Sequence, residues 1–68
     1  MNGGGVMKPD WKGFCEYVIS VNGNISIKKT KAYGIPEGNA IELVMRAAQG
    51  SQSFVQNAKK TLVHLERR

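Results

Sequence analysis

The chain has one cysteine (Cys15), one histidine (His64), five acidic residues and no apolar run of membrane-spanning length. Each shortage removes a class of protein. A single cysteine forms no disulfide within the chain, which excludes a stapled secreted scaffold and points to a reducing cytoplasm. One Cys and one His in distant segments are too few ligands for a structural metal. No stretch approaches the roughly 18 apolar residues of a membrane span, and there is no signal-peptide hydrophobic region. The acids Asp10, Glu16, Glu37, Glu42 and Glu66 are scattered, so no carboxylate pair is spaced for acid–base work. Cys15 has no base nearby in sequence and reads as a small buried hydrophobe. The expectation is a non-enzymatic protein without a cofactor.

What is present is positive charge. Ten Lys and Arg against five acids give a formal charge of +5 and a pI near 9.7. That balance favours a polyanionic partner, DNA or RNA, or else an acidic protein surface. At 68 residues there is room for one small domain, which buries a limited share of its surface. With disulfides and metals unsupported, self-association into a homodimer is the expected route to stability.

Residues 1–10 read as a flexible leader and residues 11–68 as a single domain. The triple glycine of MNGGGVM fits no useful element. Glycine codons can spell a ribosome-binding sequence, so translation from Met7 of a bacterial or phage gene is one expectation, and an ordinary N-terminal tail the other. "FCEYVISV", residues 14–21, alternates: Cys15, Tyr17, Ile19 and Val21 face one way, Phe14, Glu16, Val18 and Ser20 the other. That pattern predicts a strand. "VNGNI" predicts a hairpin turn, and "ISIKKTKAY" a second strand. Matching Ile25 and Ile27 to Ile19 and Val21 or Tyr17 favours a three-residue loop with Gly23 left-handed.

Two helices follow, rather than one bent at Gly50. Asn39 and Glu42 are positioned as a capping box for the first, whose stripe is Ile41, Val44, Met45 and Ala48, supported by Leu43 and Ala47. Ser51 or Ser53 would cap the second, with Val55, Ala58, Leu62 and Leu65 on its apolar stripe. The predicted fold is therefore α+β, a ββαα arrangement with an antiparallel β-hairpin, dimerising through a sheet edge.

Two basic groups stand out as candidate nucleic-acid contacts: Lys28, Lys29 and Lys31 with Tyr33 on the second strand, and Lys60, Arg67 and Arg68, with His64, on the last helix. Strand lysines also discourage edge aggregation, and bases suit a helix C-terminus without any ligand. "GIPEGN", residues 34–39, lacks the lysine and glycine spacing of a phosphate loop. Residues 25–68 loosely resemble ribbon-helix-helix DNA-binding proteins in order: a polar strand, Pro36-Glu37, a helix, Gly50, and a helix opening with serines. The resemblance implies paired strands in the major groove, with Lys29, Lys31 and Tyr33, or Lys28 and Thr30, as readers and Ser51 or Ser53 near phosphate. The strand at 14–21 departs from that family, because it would occupy an edge of the ribbon. No membership follows from this likeness. The functional expectation is a basic regulator that binds nucleic acid; the alternative is a regulator or inhibitor docking on an acidic protein.

Overall fold

The computed structural model of the protein describes residues 8–67. Among them are four helices and no strand: α1 (Trp11–Ser20), α2 (Ile27–Lys31), α3 (Glu37–Gln49) and α4 (Ser51–Glu66). The expected α+β fold is thus overturned, and with it the hairpin, the sheet-edge dimer and the ribbon of the ribbon-helix-helix comparison. Residues 1–7 of the expected 1–10 leader, with the expected start at Met7, and the basic role of Arg68 lie outside the described residues.

The first predicted strand is α1, because "FCEYVISV" satisfies two periods. Phe14, Cys15 and Val18 are buried, a helical spacing rather than an alternation. Asp10 decides between them by capping the helix: its Oδ1 accepts from the Gly13 N–H at 2.9 Å. Asn-Gly does impose a left-handed backbone, with φ 54° at Asn22 and 80° at Gly23. It closes a helix, however, not a hairpin. Asn22 N–H donates to Ile19 O at 3.2 Å and Gly23 N–H to Val18 O at 2.9 Å. Those two bonds are the Schellman pattern, which satisfies the last carbonyls of a helix.

The second predicted strand becomes an extended entry, α2 and a turn. Ser26 caps α2 by accepting from the Lys29 N–H at 3.2 Å. A five-residue helix is too short to persist alone. Two bonds to α1 hold it: Ser26 N–H donates to Tyr17 Oη at 3.0 Å, and Asp10 N–H donates to Tyr33 O at 2.7 Å. Tyr17 and Tyr33 stack between those bonds, with ring centroids 5.6 Å apart.

α3 starts earlier than the Asn39 capping box requires. Pro36 takes the N-cap position with no side-chain cap, and Asn39 lies inside the first turn. The fixed φ of proline suits a helix start, and Glu37 meets the positive end of the helix. The buried stripe is also rotated from the expected one. Ala40 and Ala47 are buried with Leu43 and Val44 half-buried, whereas Ile41, Met45 and Ala48 are exposed. Gly50 separates α3 from α4 and is the flanking residue of both, so neither Ser51 nor Ser53 is the cap. Along α4, Val55, Ala58, Leu62 and Leu65 do turn inward.

α4 packs on α1 and α3, and α2 packs on α3. Gly23, just past α1, lies beside Ser51 and Val55 at the start of α4, while Trp11 shares a groove with Ala58 and Thr61. The two helices therefore run antiparallel. The molecule measures 39 × 28 × 15 Å, a flat shape that keeps the core small: Phe14, Cys15, Val18, Ile25, Ile35 and three alanines. No described helix is long and apolar enough to cross a membrane.

Candidate nucleic-acid interface

α2, its turn and α3 form one unit. Its interior is built from small or branched residues that let the helices approach: Thr30 and Ala40 are fully buried and Ile35 nearly so. Ala32 ends α2, Tyr33, Gly34 and Ile35 make the turn, and Pro36 opens α3. Gly34 has φ 85°, the left-handed region that costs an L-residue about 1–2 kcal/mol. A side-chain carbon there would lie in ordinary contact with Pro9 and Lys8, at 3.4–3.5 Å, so the positive φ is the cost. The turn is thus fixed from both sides, by Ile35 anchored inward and by the chain before α1 lying over Gly34.

The outside of this unit carries charge. Lys28 and Lys29 are exposed on α2. Lys31 is spoken for: its Nζ donates to Glu37 Oε1 at 2.8 Å, bridging the turn. That bond holds the Glu37 carboxyl below the ordinary carboxylate range. Tyr33 is half-buried, with its ring stacked on Tyr17 and edge-on to Phe14 at 6.2 Å. On α3 the exposed residues of the first three turns are Glu37, Gly38, Asn39, Ile41, Glu42, Met45 and Arg46. Glu42 faces Arg46 at 3.9 Å, a loose surface pair worth little.

The second basic group stands elsewhere. Lys60 is exposed on α4 beside Lys59, and Arg67 is exposed at its C-cap. The structure mounts these residues on the helix that packs against α1 and α3, and the α2 lysines on the helix that packs mainly against α3. The α3 residues were not singled out as contacts by the sequence. The signal was there: two amphipathic segments separated by Gly34-Ile35-Pro36, hidden by reading the first segment as a strand.

Two other places can be weighed. Cys15 is buried, and burial together with Glu16 raises its thiol pKa, which favours the protonated form. A groove of about 580 Å³ runs between α1, α3 and α4, lined by Trp11, Phe14, Leu43, Phe54 and Ala58 among others. No three His, Cys, Asp or Glu side chains among the described residues gather as a metal site. Comparison of the chain with family models, with curated proteins and with solved structures finds no match.

Proposed function

We propose that the protein is a non-enzymatic regulator that binds nucleic acid, with duplex DNA as the form that fits it best. The observation carrying this reading is the α2–turn–α3 unit. Two helices joined by a short glycine-containing turn follow the order of a helix–turn–helix, in which the second helix enters the major groove while the first crosses the backbone. In that arrangement α3 is the groove helix. α2 crosses the phosphates, which is where Lys28 and Lys29 stand exposed. The overall charge of +5 supplies the sequence-neutral attraction, by releasing counterions from the duplex. Lys60 and Arg67 extend the attraction from α4. A lone buried thiol suits a reducing compartment such as the cytoplasm.

A second reading has its own observation. Ile41 and Met45 are 40% and 58% exposed on the same helix, and apolar exposure of that kind also suits a protein surface. In that case the partner is an acidic protein, or a second copy joined through helices. Fluorescence anisotropy with labelled duplex DNA, single-stranded DNA and duplex RNA separates these readings. Duplex DNA is expected to bind most tightly. Replacing Lys28 and Lys29 by Gln should lower the slope of log affinity against log salt by about 0.9 per lysine lost from a phosphate. No binding to any of the three polymers at low salt overturns the proposal. A stoichiometric protein retained from a nuclease-treated lysate, without such binding, favours the second reading.

A further inference from the structure

Gly38 lies in the first turn of α3, exposed, and a side-chain carbon built there meets nothing within 4 Å among the described residues. It is not among the residues with positive φ. The fold therefore gains nothing local from glycine at this position, and a helix is weakened by glycine relative to alanine. A physical use that remains is close approach of the backbone to a ligand. The residues around it fit a ligand with base edges. Asn39 and Glu42 are exposed beside it, and Ile41 is exposed on its other flank. An asparagine amide matches adenine bidentately, a carboxylate accepts from the cytosine amino group, and an apolar side chain meets the thymine methyl.

The charges separate the roles further. Glu42 is a poor neighbour for phosphate, so an acid on the groove-facing helix makes sense as a reader and not as an anchor. Lys28 and Lys29, one helix away, are suited to phosphate and carry no sequence information. We infer that the outer face of the first two turns of α3, formed by Gly38, Asn39, Ile41 and Glu42, selects base sequence in the major groove of duplex DNA, with Gly38 at the closest approach. This rests on the helix–turn–helix reading above.

The test begins with selection of preferred duplexes from a randomised pool by the wild-type protein. Affinity for the selected and a scrambled duplex is then measured for Gly38→Ala, Asn39→Ala, Glu42→Gln and the Lys28→Gln/Lys29→Gln pair, alongside thermal melts. Gly38→Ala should melt at or above the wild-type temperature and yet bind the selected duplex about tenfold more weakly. Asn39→Ala and Glu42→Gln should each lose preference at one base pair and so narrow the ratio of affinities between the selected and scrambled duplexes, while loss of the Glu42 charge also strengthens binding to both duplexes. The double lysine variant should weaken both duplexes alike. Unchanged binding by Gly38→Ala overturns the inference, as does an equal change on both duplexes by the Asn39 and Glu42 variants. Wild-type binding with no preference among duplexes overturns this assignment while leaving DNA binding in place. No nucleic-acid binding at all removes the underlying function instead.

Discussion

The two connections that flank α3 are both short, and they are built on opposite principles. Between α2 and α3 the backbone is held by what surrounds it: left-handed Gly34, inward Ile35, the hydrogen bond from Asp10 to Tyr33 O, and the Lys31–Glu37 bridge. Between α3 and α4 there is only Gly50, exposed, with φ −171° and no side-chain cap on either side. The first connection specifies an angle between its helices. The second leaves that job to the packing of α4 on α1. The more tightly specified connection is the one that presents the proposed DNA surface, as a reader of fixed spacing requires.

The contrast can be broken most severely at Ile35. Ile35→Ala removes a residue only 2% exposed, and truncations of this kind cost about 2–5 kcal/mol. A core in a domain this small supplies about 3–5 kcal/mol in total, so circular dichroism should show a largely unfolded chain at room temperature. A retained cooperative melt near the wild-type temperature would show that the turn is not anchored by that side chain. The glycines give the next effect, with a difference in sign. Gly34→Ala should lose about 1–2 kcal/mol because of its positive φ. Gly50→Ala sits in extended backbone with open space and should be neutral, or gain about 0.4–1 kcal/mol by restricting the unfolded chain. Equal melting shifts for the two would erase the distinction between the connections.

Thr30 sharpens the comparison from inside. It is fully buried, and its Oγ1 has no hydrogen-bond partner among the described residues. Thr30→Val keeps the shape and removes the unpaired hydroxyl, so denaturant titration should show stabilisation of about 1 kcal/mol. A loss instead would mean that the hydroxyl finds a partner in solution. The smallest effect belongs to Glu37→Gln across the same turn. Lys31 lowers the Glu37 carboxyl below its ordinary value of 4.5, so the folded state favours the ionised form. Its contribution is complete above that ordinary value and disappears as the pH falls through the lower folded value. The variant should therefore melt slightly below wild type near neutral pH, with the gap closing in acid and in high salt. A gap that widens in acid would assign the pair the wrong sign.

The C-terminal half was largely legible in the sequence. Val55, Ala58, Leu62 and Leu65 repeat at helical spacing with polar residues opposite, and Gly50 separates the helices as expected. α3 was legible as a helix but not in its orientation, because alanine wins the interior where helices approach closely, and the larger Ile41 and Met45 are left outside. The N-terminal half misled for a definite reason. Phe14, Cys15, Tyr17, Val18 and Ile19 are apolar at both periods two and 3.6, so hydropathy alone does not separate strand from helix. Asn22-Gly23 announced left-handed backbone correctly, but a helix cap uses that conformation as readily as a hairpin. Of the proposed contacts, the sequence located Lys28 and Lys29; the α3 face was missed although Gly38, Asn39 and Glu42 share one side of a helix by spacing, because the expected inward stripe of Ile41, Val44, Met45 and Ala48 set the wrong orientation.

The two bonds that tie α2 to α1 have a consequence for how the molecule breathes. A helix of five residues has almost no stability of its own, so its amides are shielded by its packing on α3 and by Tyr17 and Asp10 at its ends. α1 and α2 should then open and close as one cooperative unit, although α1 packs mainly on α4 and α2 on α3. Slow amide exchange in α2 would be a readout of α1. A single hydroxyl on Tyr17, distant in sequence from the lysines, is one of the ties that keep the backbone beneath them formed.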